Sequence, residues 1–450
     1  MSTLFGLPPE DYHIFNTANN SHADSVTPKN DPSRIIMMSQ RKDIVFYLQG
    51  SNLNWLMQQF TCKFIEILRR EPEGPWQMKP DLYQYMTRGI FLAEVDVLYG
   101  EGIFKSCPTL CEDFWAFYEA IPVISRNIPT WMSPSSYVAQ RKMLNNFRTW
   151  QLSCVSESNE RKTGVDTTGP DDIWGTHYIR RMYERFRDLG FSEGGIATAM
   201  VGFLFLYVQP SLVRNQLIKV ESTVANSIPA SVWMMLYIFL DKDLRERVEV
   251  EISDAFDGGT DLVQTDKLMK APLLNSICNE VLRLRVGSPF GRTSQSTVEL
   301  TGGLKVLPGI PIMSVNWLGG LDTKFWNTGR IMPDQFDEHP LEQFWAERFL
   351  EYPDDTTSGP LRKDQTQPGE TTLAGVSESR VGCARLITNG EALGKQIMLI
   401  SVAVVLRELH IELQNPAAAA TTGSKHRTLP FGSHAFDKAV PFKIRVRDRD

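Results

Sequence analysis

Residues 275–292 read Asn275-Ser-Ile-Cys-Asn-Glu-Val-Leu-Arg-Leu-Arg-Val-Gly-Ser-Pro-Phe-Gly-Arg292 and contain Glu280 and Arg283. Two residues three apart on a helix share one face, so a glutamate and an arginine at this spacing can pair their charges. If such a pair is buried, each ion must satisfy the other, because an unpaired buried ion costs roughly several kcal/mol. A solvated surface pair is the ordinary alternative for an isolated example. The surrounding sequence therefore decides what this pair means.

The neighbouring stretches follow the pair in a recognisable order. Arg292 leads into a Gly/Pro-punctuated strand region at 306–313 and then into residues 344–350, while residues 224–233 and 240–252 upstream read as two successive helices. This order and spacing resemble the second half of a cytochrome P450. The stretches 224–233 and 240–252 are most similar to the branch of sterol hydroxylases, prostacyclin synthase and related fungal enzymes. The likeness runs from about residue 45 to the C-terminus, where residues 440–444 resemble the family's closing strand.

The resemblance implies a mainly α fold with a small β-rich side, formed as a single domain over residues 1–450. Length and composition agree, because 450 residues with 42% hydrophobic and 22% charged side chains can bury one large core. The apolar run at 196–208 predicts a core helix that stops at Gln209-Pro210. The polar, Gly/Pro-marked stretches at 156–172 and 415–428 predict surface loops.

The start of the chain, from Met1, has no apolar span of the ~20 residues needed to cross a bilayer. Microsomal relatives begin with an anchor, a hinge and the first strands, so the resemblance implies that the anchor and first strands are missing here. The family implies the endoplasmic-reticulum membrane, although this chain carries no anchor. Six scattered cysteines fit a reduced intracellular setting. The net charge of -6, spread over both signs, argues against a nucleic-acid partner.

The resemblance also implies heme b, with the iron bound axially by a cysteine thiolate and the propionates held by cations. The family writes the ligand loop as Phe-x-x-Gly-x-Arg-x-Cys-x-Gly, and Cys383 is the only candidate for its cysteine, while Arg292 and Arg380 are the candidates for the propionates. Measured from Cys383, the family's phenylalanine, first glycine, arginine and second glycine positions hold Val376, Ser379, Val381 and Arg385. An ordinary loop cysteine is therefore the alternative for Cys383.

On the long central helix, the family commonly places an acid followed by a threonine where this chain has Asn226 and Ser227. Those side chains relay protons to bound oxygen, so the resemblance assigns both residues to the oxygen pocket. Asparagine cannot carry a proton as a carboxyl can, although a serine or an ordered water can substitute. A helix distorted before Pro229 is the structural alternative. Glu280 and Arg283 are assigned to bracing the heme-side core.

Two segments interrupt the family-like sequence, at 207–223 within the central helix and at 376–393 around the candidate cysteine. Each opens near a valine, whose codon must begin with GT, and each replaces family-like sequence abruptly. We therefore hypothesise that both are translated introns or misread exon boundaries. A transcript that encodes both segments as written would contradict this.

The resemblance implies a heme-thiolate monooxygenase of fungal secondary metabolism that oxidises a small hydrophobic molecule such as a terpenoid or polyketide. Electrons would come from NADPH through a flavin-containing reductase. One alternative keeps the fold without oxygen activation, as an isomerase or cyclase. A further alternative is a non-catalytic remnant. A requirement for NADPH, reductase and oxygen separates the first function from the others.

Overall fold

The computed structural model describes residues 5–14, 36–47, 50–161, 170–205, 224–256, 262–287, 289–294, 296–300, 302–331, 336–355, 357–362, 392–425 and 432–447. Within them the chain is mainly helical, with short antiparallel strands gathered in small sheets. The predicted mainly α fold with a small β side is thereby confirmed.

Fifteen α-helices lie in the described part of the chain. They are α1 (Ile36–Tyr47), α2 (Gly50–Leu68), α3 (Leu82–Tyr99), α4 (Gly102–Ser106), α5 (Leu110–Ser125), α6 (Pro134–Arg161), α7 (His177–Asp188), α8 (Glu193–Phe205), α9 (Ser227–Leu240), α10 (Lys242–Ser253), α11 (Thr265–Lys270), α12 (Pro272–Arg285), α13 (Asn316–Gly319), α14 (Ala392–Glu408) and α15 (Pro416–Ala420). A short 3-10 helix at Pro9–Asp11 precedes them.

The strands of the described residues are short and pair antiparallel. They are β1 (Gln77–Lys79), β2 (Pro170–Asp171), β3 (Gly175–Thr176), β4 (Val286–Gly287), β5 (Pro289–Thr293), β6 (Val298–Glu299), β7 (Lys305–Val306), β8 (Pro311–Val315), β9 (Gly329–Ile331), β10 (Phe336–Glu338), β11 (Leu409–Leu413), β12 (Gly432–Ser433) and β13 (Phe442–Val446). The largest sheet has the order β1-β13-β11, with Ile444 opposite both Gln77 and Ile411. Strand β13 is the predicted closing strand.

Helix α9 lies at the centre of the helical core. It packs against α3, α12 and α14, and α14 in turn packs against α2. Its residues from Ser227 to Leu236 are all buried, including the large side chain of Trp233. A helix that is covered on every side is mostly apolar all round, which explains the largely apolar sequence after Pro229, with Ser231 as its buried polar residue. Strand β12 also contacts this helix, and its residue Ser433 lies beside the start of α9.

The end of helix α8 contacts the residues that precede α9. Helix α8 ends at Phe205, and the backbone N–H of Val224 donates to the carbonyl of Leu204 over 3.4 Å. This hydrogen bond brings Leu204 and Val224, which are twenty residues apart in sequence, as close together as residues on successive turns of a helix. The segment 207–223, which was predicted to interrupt that helix, lies outside the described residues.

Two of the predicted surface loops contain regular structure. The stretch 156–172 was predicted to be a loop, but α6 continues to Arg161, where the Ser158 hydroxyl accepts a 3.2 Å hydrogen bond from the Trp174 indole. The stretch 415–428 was also predicted to be a loop, but it contains α15. The Asn415 side chain accepts from the Ala418 N–H over 2.9 Å, and Pro416 occupies the first helical position, where no N–H is needed.

No helix in the described ranges combines the length and the apolar character that crossing a membrane requires.

Candidate active site

Glu280 and Arg283 form a two-pronged ion pair in the interior. Helix α12 places them three residues apart, so both side chains leave the same face. The Arg283 guanidinium donates from Nε to Glu280 Oε2 and from Nη2 to Oε1, each over 2.8 Å, and both side chains are fully buried. The remaining Arg283 donors reach the backbone carbonyls of Gly320 at 2.6 Å and Leu341 at 2.8 Å. The pair therefore ties α12 to two loops that follow it.

Arg348 is a third member of this cluster that the sequence reasoning missed. Its Nε donates to Glu280 Oε1 over 3.0 Å, and its side chain is fully buried. Arg348 also donates to the carbonyls of Asn327 and Pro340, the latter over 3.2 Å. The stretch 344–350 was part of the resemblance, but no role was given to its arginine. The available signal was that arginine itself, which lies in a stretch already assigned to the resemblance.

The cluster carries one carboxylate against two guanidinium groups, so it holds excess positive charge in the interior. Burial lowers the pKa of the Arg348 guanidinium, and the nearby Glu280 carboxylate opposes that effect. Backbone carbonyl dipoles around both arginines offset the rest of the charge. The backbone N–H of Trp345 adds a further 3.2 Å hydrogen bond to Glu280 Oε1. This geometry fits the bracing role predicted for Glu280 and Arg283, which remains a prediction.

Asn226 precedes α9 and faces strand β12. Its side chain makes no capping hydrogen bond to its own helix. Instead Asn226 Oδ1 accepts a 3.1 Å hydrogen bond from the Ser433 N–H, and the Asn226 backbone carbonyl accepts a 2.6 Å hydrogen bond from the Ser433 hydroxyl. The predicted distortion before Pro229 takes the form of a helix start, because α9 begins at Ser227 and Pro229 lies in its first turn. The missing N–H of a proline costs little there.

Ser227 is buried at the first position of α9, and its backbone carbonyl accepts a 2.8 Å hydrogen bond from the Ser231 hydroxyl. It follows directly on Asn226, so the structure brings these two predicted pocket residues together at one helix start. Glu280 and Arg283 lie on α12, which packs against the same helix.

A second polar group links the end of α12 to α9 on the side of β12. The Arg285 guanidinium lies 4.0 Å from the centre of the Trp233 ring and donates to the Tyr237 hydroxyl over 2.9 Å. The Arg285 carbonyl accepts a 2.9 Å hydrogen bond from the His434 N–H. The Trp233 indole donates to the His434 carbonyl over 2.7 Å. Helices α9 and α12 and the turn after β12 are therefore fixed to one another by side chains.

The residues predicted to hold heme are placed only in part. The backbone of Arg292 lies in strand β5, opposite Ile312 of β8. Cys383 and Arg380 lie outside the described residues, as does most of the second predicted interruption, 376–393. Helix α14 begins at Ala392, inside that predicted interruption.

Three cysteines of the described residues, Cys107, Cys111 and Cys154, are buried thiols with a raised pKa. Burial raises the pKa of the Cys107 thiol to about 11 and that of Cys111 to about 12, and it raises the pKa of Cys154 further. A raised pKa favours the neutral thiol, whereas a metal takes the thiolate. Cys278 is buried inside α12 and Cys62 is partly buried on α2. Cys383 therefore stays the candidate ligand, and the bracing role of Glu280 and Arg283 stays a prediction.

Comparison with known proteins identifies the family. The family model described as "Cytochrome P450" matches residues 222–343, which span the start of α9 and the Glu280 and Arg283 pair. The cytochrome P450 monooxygenase fsoE of Humicola fuscoatra is 30% identical over 390 residues. The chain belongs to the cytochrome P450 superfamily. The resemblance predicted from the sequence is thereby confirmed.

Two further fungal cytochromes P450 are similar over most of this chain. The monooxygenase efuG of Hormonema carpetanum is 29% identical, and calL of Penicillium decumbens is 26% identical over 92% of this chain and 72% of its own length. The matches to fsoE and efuG each cover 83% of this chain but only 64% and 65% of those relatives. This cytochrome P450 chain therefore spans less than two thirds of the length of those two proteins.

Proposed function

We propose that this chain is a heme-thiolate monooxygenase that oxidises a small hydrophobic molecule, such as a terpenoid or polyketide, in fungal secondary metabolism. The observation that carries the proposal is the buried cluster of Glu280, Arg283 and Arg348. It lies in the region that matches the family model or directly after it. Three fungal relatives whose names say cytochrome P450 monooxygenase support the reaction class.

Each candidate residue has one role in this proposal. Cys383 binds the heme iron, and Arg292 and Arg380 pair with the propionates. Asn226 and Ser227 line the pocket where oxygen binds. Heme b, when bound, supplies the activation of molecular oxygen. Glu280 and Arg283, joined by Arg348, hold the protein core on which that site is built.

The same proposal includes partners and a cellular place. The oxidation needs two electrons, which a flavin-containing reductase would deliver from NADPH. The pair would act at the endoplasmic-reticulum membrane, a location that the resemblance to microsomal cytochromes P450 supports. The proposed substrate is small and apolar. Most buried residues at the start of α9 are hydrophobic, and a pocket lined by them would bind an apolar molecule.

The absorption spectrum of the reduced, carbon-monoxide-bound protein tests the proposal. The full chain is expressed as written with added heme and compared with Cys383→Ala. We expect a thiolate-type Soret band in the wild type that is lost in the variant. Cys62→Ala is the matched control, because Cys62 is a partly buried helical cysteine with no proposed role, and it should keep the band. A folded wild-type protein that takes up no heme would overturn the proposed function.

A second candidate, a P450 fold that acts as an isomerase or cyclase without activating oxygen, is favoured by one observation. The residue at the family's acid position is Asn226, and its side-chain oxygen is already used as an acceptor by Ser433. Turnover of candidate substrates with and without NADPH, reductase and oxygen separates the two functions. Turnover that persists without them would favour the second candidate, and a folded chain that turns over nothing would indicate a non-catalytic remnant.

A further inference from the structure

The backbone N–H, the backbone carbonyl and the side-chain hydroxyl of Ser433 all form hydrogen bonds, two with Asn226 and one with Tyr118. Its N–H and hydroxyl donate to Asn226 Oδ1 and to the Asn226 carbonyl, over 3.1 and 2.6 Å. Its carbonyl accepts a 2.6 Å hydrogen bond from the Tyr118 hydroxyl on α5. Ser433 and Asn226 are 207 residues apart in sequence, and Tyr118 is 315 residues from Ser433. We call these three residues the Ser433 clasp.

The clasp depends on a glycine beside it. Gly432 has φ +89°, a backbone conformation that side-chain-bearing residues rarely adopt. A Cβ added to Gly432 would overlap Asn226 Oδ1 and would lie 3.5 Å from the Tyr118 hydroxyl. The backbone at this position therefore approaches the start of α9 more closely than any other residue type permits.

The next residue extends the clasp to two more elements. The His434 N–H donates to the Arg285 carbonyl, and the His434 carbonyl accepts from the Trp233 indole. Its Nδ1 lies 3.1 Å from the Ser424 hydroxyl. The turn at 432–434 is thus anchored to α5, α9 and α12 by side-chain hydrogen bonds as well as by the backbone pairing of its two-residue strand.

The chemistry of Asn226 in the clasp is that of an acceptor. Both of its oxygen atoms receive hydrogen bonds from Ser433, and an amide side chain has no proton to release near neutral pH. A carboxylate at this position would keep the hydrogen bond from the Ser433 N–H, because a carboxylate oxygen is also an acceptor. Alanine would remove the acceptor and leave a buried N–H without a partner.

We infer that Asn226 is a positioning residue, which acts with Tyr118 through Ser433 to fix the wall of the substrate pocket beside the start of α9. The inference rests on the proposed function, which places Asn226 at the oxygen-binding end of that pocket. It assigns the residue at the family's acid position to orienting substrate instead of moving protons. Tyr118 and Ser433 gain a role in specificity that neither the sequence pattern nor the comparisons give them.

Amide hydrogen exchange over residues 432–436 of the full chain tests the clasp directly. We expect Asn226→Ala and Tyr118→Phe to speed exchange there by about fivefold, the effect of losing one hydrogen bond. Asn226→Asp should keep the wild-type rate, since it keeps the acceptor. Ser231→Ala is the matched control, because it removes a buried hydroxyl from the same helix that bonds only within that helix. Unchanged exchange in both Asn226→Ala and Tyr118→Phe would overturn the clasp.

Ligand titrations on the heme-loaded protein test the positioning role. Imidazole reports iron binding alone, whereas 4-phenylimidazole also fills the space beside the iron. We expect Asn226→Ala and Tyr118→Phe to weaken 4-phenylimidazole binding about three- to tenfold and imidazole binding less, with Asn226→Asp restored to the wild-type value. Equal affinities in all variants would overturn the positioning role, even with a clasp seen by exchange. A wild-type chain that binds no imidazole would overturn the proposed function as well, while exchange still reports on the clasp.

Discussion

At the scale of single residues, the buried charges of this protein fall into two kinds. Glu280 is a carboxylate that accepts hydrogen bonds from Arg283, Arg348 and a backbone N–H. Glu94, on α3, is equally buried, but neither of its oxygens has a hydrogen-bond partner within the described part of the chain. The first carboxylate is surrounded by cations and hydrogen-bond donors. The second has no such partners, and burial raises its pKa because desolvation disfavours the charged form.

Replacing Glu280 with alanine should destabilise the fold strongly. The change leaves two buried guanidinium groups without their carboxylate, so we expect a loss of about 3–5 kcal/mol in the free energy of unfolding. Urea denaturation followed by tryptophan fluorescence measures it. The control is Glu246→Ala, which removes an exposed partner of Lys242 and should cost less than about 1 kcal/mol. Similar losses in both variants would contradict a structural role for the buried cluster.

Glu94 should make stability depend on pH. Its pKa is raised well above the ordinary value of 4.5 by burial, so the folded protein holds a proton that the unfolded chain releases. Its contribution is fully present below pH 4.5 and is lost as pH rises through the folded pKa, by about 1.4 kcal/mol per pH unit in that window. Glu94→Gln should therefore gain stability relative to wild type with rising pH, measured by urea denaturation between about pH 4 and 8. A difference that stays constant with pH would refute this.

At the scale of elements, close backbone contacts and helix continuity position the site. Strand β3 crosses the end of α3 at Gly175, which has φ +78°, and an added Cβ would overlap the backbone of Gly100 and Tyr99. The Thr176 hydroxyl donates to the Leu98 carbonyl over 3.0 Å at the same crossing. Backbone atoms cannot move aside as a side chain can. The crossing therefore requires glycine.

Gly175→Ala should cost about 2–4 kcal/mol, from backbone strain and overlap together. Gly202→Ala is the matched control, because Gly202 lies inside α8 and an added Cβ there would meet only open space. A helical glycine replaced by alanine gains about 0.5–1 kcal/mol. Thermal and urea unfolding of both variants should shift in opposite directions. A stabilised Gly175→Ala would show that β3 does not cross α3 as described.

Deleting residues 207–223 should join α8 and α9 into one helix. The hydrogen bond from Val224 to Leu204 already brings the two ends within a helical turn. Joining them directly removes the entropy of closing a connection of about 17 residues, roughly 2–3 kcal/mol. We expect a higher urea midpoint and no loss of helical circular dichroism. A deletion variant that fails to fold would argue that the segment belongs to the native enzyme, against the translated-intron hypothesis.

At the scale of the whole molecule, one large core unites the helices around α9 with the three-stranded sheet. The largest cluster of buried apolar side chains runs from Phe5 to Ile444 and includes α2, α3, α9 and α14. The three-stranded sheet pairs β1, at residues 77–79, with β13, at residues 442–446. Such long-range packing is consistent with the predicted single domain, which remains a prediction.

Heme should stabilise this whole unit if the proposed function is right. A ligand that binds only the folded state adds about 2.7 kcal/mol at a free concentration roughly one hundred times its Kd. We expect added heme to raise the unfolding midpoint of the wild type and of Cys62→Ala, and to raise that of Cys383→Ala less. Thermal unfolding with and without heme measures this. Equal stabilisation of all three proteins would remove Cys383 as the ligand.

The sequence by itself determined the family, the mainly α fold and the pairing of Glu280 with Arg283. These follow from local order, because a three-residue helical spacing sets which side chains share a face. It also assigned Asn226 and Ser227 to the central helix, although the structure shows that this helix begins only at Ser227. It was wrong in predicting loops at 156–161 and 416–420. The first is the polar end of a long helix, and the second is a short exposed helix capped by Asn415.

Only the tertiary structure decided the partners that lie far apart in sequence. Arg348 reaches Glu280 across 68 residues, and Ser433 reaches Asn226 across 207. No periodicity along the chain encodes such contacts, because they arise when separately specified helices and turns pack together and their buried polar groups must find partners. The local pattern thus named the residues of the brace and the central helix, and packing decided which distant groups complete them.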